Sequence, residues 1–588
     1  MVMKKRKGIL IAITFLLLVL ICSLSKEANI QYTIAGMIFG NQNQSNIIFS
    51  KSSGFYKKEF VLRLYAPTGE IYYTLDGSEP DKNSIRYENP IVIKDASENP
   101  NTYSTREDVT AGFFKEDIVA NGGDVNKEPI YQTPTELVDK CNVVKAVFYD
   151  ESGKRSNVEE HVFFVGYEEK SGYEDVNIIS ITTEPANLFD SQNGIYVVGD
   201  IYKEFSLDGQ PEDYWMRNNW NHWDANYHQR GIEWERESHI QIFDTEKKLV
   251  LSQDVGIRIQ GGGSRGFLPK SLNIYARDEY GEDRLYYDFF ETGYYPKRIT
   301  LSNGGDDYYT KIKDKLVSEL ADECNIATMN YKPYVLFLNG EYWGFYYLTE
   351  KYDVEFFENY YGVPKGKMID DVIIIKNDKV EAGVDADWYV SYAEMKDAIL
   401  NYDLSIQENY EHACQLVDID SFIDYFAVEG YIARCGDWPD SNFALWRSRY
   451  NSGKMYEDGK WRWILFDVNS TSITESLLTH DVIGSLRSTS ELFDSFCANE
   501  SFKRKFSERL IELSDTIFAK ENVNQKISEY VTLMDQPMKK HFSRFFGTSN
   551  EKFYEGIEDI TVFFEKRKSF VMDSIETHFG EEYLGENQ

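Results

Sequence analysis

The spacing of hydrophobic residues changes several times along the chain, and each change marks an element. Between Ile48 and Gly166 apolar and polar residues alternate in short runs. Such period-two alternation suits half-buried strands. Phe60-Val61-Leu62-Arg63-Leu64 and Ile71-Tyr72-Tyr73-Thr74-Leu75 are predicted strands, and Asp76-Gly77 turns the chain after the second. Val143 to Tyr149 alternates again, Glu151-Ser152-Gly153 turns, and His161 to Val165 closes the set. The stretch 95–135 is polar, contains Asn121-Gly122-Gly123, and is predicted as a long surface insertion. Short strands separated by turns predict a β-sandwich over 48–166.

From about residue 175 the pattern mixes periods. His239 to Phe243 and Val255 to Gln260 read as strands, and the latter runs into Gly261-Gly262-Gly263-Ser264-Arg265-Gly266. Lys270 to Arg277 reads as the next strand. Ile312, Leu316 and Leu320 stand at helical spacing within Thr310–Cys324. Asn339-Gly340 between two apolar runs, Tyr334–Leu338 and Trp343–Leu348, predicts a hairpin. Ser421 to Arg434 reads as a buried helix, and Phe443–Arg447 and Trp461–Phe466 as short strands. From Ser501 onward the sequence is helical and charged.

Compartment and charge narrow the function. Lys4 to Lys7 form a basic block before the apolar run Gly8–Cys22, and polar sequence follows from Ser23. That order is expected of a signal peptide or signal anchor, hence of an exported protein, secreted or membrane-anchored at a bacterial cell surface. Residues 24–47 are expected to be a linker. A net charge of −34 repels phosphate backbones and argues against nucleic-acid binding, while favouring basic protein substrates or divalent cations. The six cysteines include no C-x-x-C pair, and no H-E-x-x-H occurs, so neither a zinc site nor a disulfide framework is expected.

The order of elements is that of a protein kinase: a small β-rich lobe with one helix, then a helical lobe. Within Cys435-Gly436-Asp437-Trp438-Pro439-Asp440-Ser441-Asn442, Asp437 and Asn442 have D-x-x-x-x-N spacing. In a kinase catalytic loop this Asp accepts the hydroxyl proton and this Asn holds Mg²⁺. A strand later, Phe466-Asp467-Val468-Asn469 puts an Asp where a metal-holding carboxylate belongs. Phosphoryl transfer asks mainly for oxygen ligands to a divalent cation and for donors to phosphate, and these residue types supply both. The His-Arg that precedes the catalytic Asp in kinases is absent.

Two resemblances sharpen this. The run Ile71 to Pro80 (IYYTLDGSEP), with Ser84–Tyr87 and Val144–Val147, resembles the chitobiase/β-hexosaminidase C-terminal-type module, an immunoglobulin-like accessory domain. It implies a spacer or a polysaccharide-proximal role. Gly256 to Arg265, Pro269–Leu272, Leu338 to Tyr346 running on to Glu350-Lys351, Asp437-Trp438 with Asn442, and Trp461 to Asp467 together resemble the CotH spore-coat kinase family. The layout implied is multidomain: an all-β immunoglobulin-like sandwich at 48–166, then an α+β atypical protein-kinase-like bilobal domain at 175–510, then a C-terminal helical extension at 511–588.

The CotH resemblance implies ATP with Mg²⁺ or Mn²⁺, and transfer to Ser or Thr of surface or coat proteins. It makes Asp437 the catalytic residue, Asp467, Asn442 and Asn469 the metal holders, and Lys270 the phosphate contact. Gly261, Gly262, Gly263, Ser264 and Arg265 would line the nucleotide. Asp314 and Glu319 are candidate acidic partners for Lys270, and Glu350 is a further candidate at the end of the hairpin block. Members commonly read D-x-D where this chain has Asp467-Val468-Asn469, so one ligand lacks its charge. Two alternatives stay open: a pseudokinase-like surface scaffold, and a carbohydrate-binding surface protein.

Overall fold

The structure, a computed structural model, describes residues 47–112, 130–207, 222–363, 372–382, 386–436, 438–449, 451–470 and 472–585. The predicted leader, nearly all of the linker and the candidate base Asp437 lie outside the described residues.

The main strands of the N-terminal module are β1 (Gly54–Tyr56), β2 (Phe60–Leu62), β3 (Glu70–Thr74), β4 (Ile85–Arg86), β5 (Ile91–Ile93), β6 (Asn142–Tyr149) and β7 (Glu159–Val165). One sheet has the order β1-β7-β6-β3-β4, and β2 pairs with β5 beside it. The alternation along β6 and β7 sorts two cores. Val144, Ala146, Phe163 and Val165 face the module's own interior, whereas Val143, Val162 and Phe164 join the core of the larger domain. The module is therefore buried on both sides of its main sheet. The predicted run 60–64 breaks after Leu62, and Leu64–Tyr65 pairs separately with Ile48–Phe49.

The insertion at 95–135 is not a surface loop where it is described. Tyr103 and Val109 sit in the larger core. The N–H groups of Thr102, Tyr103 and Ser104 donate to the buried Glu341 carboxylate. A polar stretch can be buried when its backbone donors find such an acceptor.

The next strands close a barrel: β8 (Asn177–Thr182), β9 (Arg236–Phe243), β10 (Leu249–Gln260), β11 (Ser271–Tyr275), β12 (Arg298–Ser302), then helix α1 (Lys313–Leu320), β13 (Tyr331–Leu338) and β14 (Glu341–Thr349). The strand order is β8-β9-β10-β11-β12-β14-β13, closed by parallel pairing of β8 with β13. The β13–β14 hairpin turns at Asn339 and Gly340, with φ of +46° and +83°, the left-handed pair that a tight hairpin turn demands. All nine residues of β14 are buried, because the strand has the barrel on one side and a C-terminal helix on the other. That explains why its sequence does not alternate.

The second lobe contains α2 (Val354–Tyr360), β15 (Val372–Lys376), β16 (Lys379–Ala382), α3 (Ala386–Leu400), α4 (Gln407–Leu416), α5 (Ile419–Tyr431), which is buried from Ser421 onward, β17 (Ala444–Ser448) and β18 (Arg462–Ile464). Its sheet runs β16-β15-β17-β18. Helices α6 (Val482–Thr489), α7 (Glu491–Phe496), α8 (Glu500–Asp515), α9 (Lys520–Phe545) and α10 (Glu551–His578) complete the chain.

The expected boundary at 510 falls inside α8, and α9 and α10 contribute Met534, Phe542, Phe563 and Val571 to the same core as the barrel. Buried Arg567 of α10 donates to the carbonyls of Gly430, Tyr431, Leu478 and His480. The C-terminal helices are thus part of the lobe rather than an appendage.

Candidate active site

Antiparallel pairing brings three sequence-distant points to one end of the second sheet. Lys376 lies opposite Ala444, and Ala444 opposite Ile464. The residues just before β17, including Asn442, and those just after β18, including Asp467, therefore share that end with Lys376. Asn377 fixes the edge, since its Oδ1 accepts from the Phe443 N–H at 3.1 Å. Asn442 and Asp467 both hold left-handed backbone, φ +58° and +57°. Asn and Asp are the non-glycine residues that take up that conformation most readily, and both positions use it to turn the chain at the sheet end.

Asp467 is exposed, and Asn469 and Asp314 are turned inward beside it. The Asn469 amide donates from Nδ2 to Asp314 Oδ2 at 2.6 Å and to Asp467 Oδ1 at 3.1 Å. Asp314 Oδ1 accepts the Val468 N–H at 2.8 Å. Asn469 Oδ1 accepts the Asp306 N–H at 3.1 Å, which ties the second lobe to the barrel. Burial first, and the Asp467 carboxylate next, push the Asp314 carboxyl well above its usual range, while buried Arg434 pulls it back. The Arg434 guanidinium is anchored on Ser470 O at 3.1 Å. On the other side the Lys376 ammonium lies 4.2 Å from the centre of the Phe466 ring. Its pKa is lowered by burial and partly restored by Asp467.

The barrel's share of the site is the loop from Asn303 to Ile312. Asp307 organises it: its buried carboxylate accepts from the N–H groups of Thr310, Ile312 and Lys313 at 2.8–3.2 Å, which caps the start of α1. Ser302, Gly304, Asp307, Lys311, Asp314 and Asn469 line one small pocket here. Gly304 and Gly305 are left-handed, with φ of +94° and +58°. A Cβ at Gly305 would come within 2.6 Å of Asn469 Oδ1, and one at Gly304 within 2.8 Å of Lys311 Cγ. Lys311 is buried, its pKa drawn down to about 7 by desolvation against the pull of Asp307. None of this loop was among the candidates read from the sequence. Asn303-Gly304-Gly305-Asp306-Asp307, directly between a strand and a helix, is the signal that would have found it.

Several expectations need correction. Lys270 does not reach this site. It is 0% exposed, and its ammonium donates to the carbonyls of Arg265 and Phe267 at 2.7 and 2.8 Å, 3.9 Å from the centre of the Tyr227 ring. Arg265 is likewise engaged by the carbonyls of Gly261, Tyr227 and Gln229, so it braces its loop from within. Gly261, Gly262, Gly263 and Ser264 belong to that braced turn, Gly263–Gly266 being a single 3-10 turn.

Neither acidic candidate partners Lys270. Asp314 faces Asn469, and Glu319 binds Lys315 and Tyr530 at the α9 side. Glu350 also lies apart from the carboxylate pair. It accepts hydrogen bonds from Tyr360 and Asn330, and burial raises its pKa to about 7.

Two carboxylates are hard donors of the kind that suits Mg²⁺ or Mn²⁺, and Asn469 turns its N–H groups to them and its Oδ1 to the Asp306 N–H. The Asp467 carboxylate lies close enough to raise the Asp314 pKa, and such a pair of carboxylates suits a divalent cation. Among the described residues no group of three His, Cys, Asp or Glu side chains converges as a metal centre, so the carboxylates offered here number two, Asp314 and Asp467.

The CotH kinase protein family matches residues 257–571, and the Fn3-associated family matches residues 62–163. No curated protein matches the chain. The first match spans more than half of the sequence and takes in the barrel from the end of β10 onward, the carboxylate pair and most of the C-terminal helices. The chain therefore belongs to the CotH kinase protein family, a kinase-like protein that carries an Fn3-associated β-module ahead of the kinase-like domain.

Proposed function

We propose that the chain is a Mg²⁺- or Mn²⁺-ATP-dependent atypical protein kinase that phosphorylates Ser or Thr of extracytoplasmic, cell-surface or spore-coat proteins. The observation that carries the reading is the meeting of Asp314, Asp467 and Asn469 at the junction of the two lobes. Asp467, Asn469, Asn442 and Asp314 are the residues that would hold the cation, which when bound supplies charge neutralisation to the phosphates. Asn469 orients both carboxylates through its amide. The Asn469 amide and Arg434 both favour the ionised form of Asp314. The role of accepting the substrate hydroxyl proton falls to Asp437, by its spacing from Asn442. The basic, apolar N-terminus supports export, and the net charge supports a basic acceptor protein.

The test is transfer of label from radiolabelled ATP to the chain itself and to a basic Ser-rich acceptor, with Mg²⁺ or Mn²⁺, beside Asp437→Ala and Asp467→Ala. Label transferred by the parent and lost in both variants is the expected result. A second reading, nucleotide binding without transfer, is favoured by Asn469, an uncharged residue between the carboxylates. It predicts metal-dependent nucleotide stabilisation with no label. Neither label nor stabilisation would refute both.

A further inference from the structure

We propose that Lys311, rather than Lys270, is the lysine that binds the polyphosphate of a nucleoside di- or triphosphate in this chain. The assignment rests on the nucleotide reading above. Lys270 is sealed among carbonyls and the Tyr227 ring. Lys311 has a different situation. An ammonium carries three N–H donors, and Lys311 directs one of them to Asn303 O. It forms no ion pair among the described residues. Nearby Asp307 is engaged by the start of α1. The Lys311 side chain lines the pocket that also holds Asp314 and Asn469, so a phosphate reaching the carboxylate pair would come within range of it.

The loop is built around that side chain. Gly304 leaves the space its stem passes through, since a Cβ there would lie 2.8 Å from Lys311 Cγ. Lys311 itself keeps a left-handed φ of +59°, and the Asp307 cap on the next two residues holds it there. Strain at a buried lysine, in a loop that glycine opens for it, marks a position fixed for a purpose beyond packing.

The other cations near the pair are engaged elsewhere. Lys313 donates to Ser472 O, Arg434 to Ser470 O, and Lys376 lies over Phe466. The barrel side thus supplies a compact ammonium and the Asp314 carboxylate, and the sheet side supplies Asp467, which gives the cleft groups for both a phosphate and a cation.

The test compares affinities for ADP and for adenosine, with Mg²⁺, in the full chain and in Lys311→Met, Lys311→Arg, Lys270→Met and Lys376→Met. A residue that contacts phosphate affects ADP alone, whereas a merely structural one weakens both ligands together. Lys311→Met is expected to weaken ADP at least roughly tenfold while leaving adenosine within about twofold, and Lys311→Arg to recover part of the loss. Lys270→Met is expected to leave the ratio unchanged. Should Lys311→Met not fold, Lys311→Gln, which keeps a donor for Asn303 O without the charge, carries the same comparison. A parent that binds ADP while the Lys311 variants keep its ADP-to-adenosine ratio overturns the inference and leaves the nucleotide reading standing. So does a selective loss in Lys270→Met or Lys376→Met. A parent that binds neither ligand overturns both.

Discussion

Asn469→Asp gives the clearest physical test of the carboxylate pair. The Asn469 amide N–H groups hold Asp314 at 2.6 Å and Asp467 at 3.1 Å. The substitution removes both hydrogen bonds and puts a third carboxylate in their place. The contact to the Asp306 N–H survives, because that is made by an oxygen which aspartate keeps. A hydrogen bond to a charged group contributes about 1.5 kcal/mol or more, so the lost pair costs about 3 kcal/mol. Like charges about 3 Å apart repel by about 5 kcal/mol at an effective dielectric of about 20, and taking up a proton limits that penalty.

Without a divalent cation the variant should therefore be about 3–5 kcal/mol less stable. At roughly 2 °C per kcal/mol for a large domain, its melting temperature in EDTA should fall by roughly 6–10 °C. With Mg²⁺ the new carboxylate becomes a ligand, and each tenfold gain in affinity returns about 1.4 kcal/mol at saturating metal. The assay is thermal melting of parent and variant in EDTA and across a Mg²⁺ titration. A variant that melts with the parent in EDTA, or that gains no more than the parent from Mg²⁺, would refute the arrangement of these side chains as a cation site.

Other outcomes follow from the same geometry. Asp307→Ala removes the acceptor at the start of α1 and should lower stability by about 2–3 kcal/mol and abolish nucleotide binding, read by denaturant melts and by calorimetry. Buried Glu350, its folded pKa near 7 and above its unfolded value, favours the folded state below the ordinary carboxyl range; that advantage is lost as pH rises from about 4.5 to 7. Glu350→Gln should flatten the fall in melting temperature over that window by the equivalent of about 2–3 kcal/mol. Arg567→Ala leaves four carbonyls of the second lobe without their donor and should destabilise by about 3–5 kcal/mol. A chain ending at 510 should accordingly fail to give a cooperative melt.

The local elements were largely legible because their causes are local. Asn339-Gly340 could only turn a hairpin of the observed kind, and Ile312, Leu316 and Leu320 placed the barrel's helix within a few residues. The position of Asp467 and Asn469 just after a strand was legible too. The role of Lys270 was misread for a physical reason. A lysine beside a glycine-rich turn looks available in one dimension, and nothing in its neighbours reveals that Arg265 and Phe267 carbonyls enclose its amine. Asp314 was noticed for the wrong partner, since the residue it meets is 155 positions away.

By itself the sequence determined the family and the order of a β-module before an α+β kinase-like domain. Turn chemistry, periodicity and motif spacing are short-range properties, and they survive in the written order of residues. Tertiary structure alone decided which charges meet. It closed the barrel by pairing β8 with β13 and packed the stretch after residue 95 onto Glu341. It also drew α9 and α10 into the core, and set the Lys311 loop against Asn469. Those contacts depend on burial and on backbone paths set by the whole fold. Burial seals Lys270 among carbonyls, whereas the Lys311 side chain lines the pocket that Asp314 and Asn469 also line.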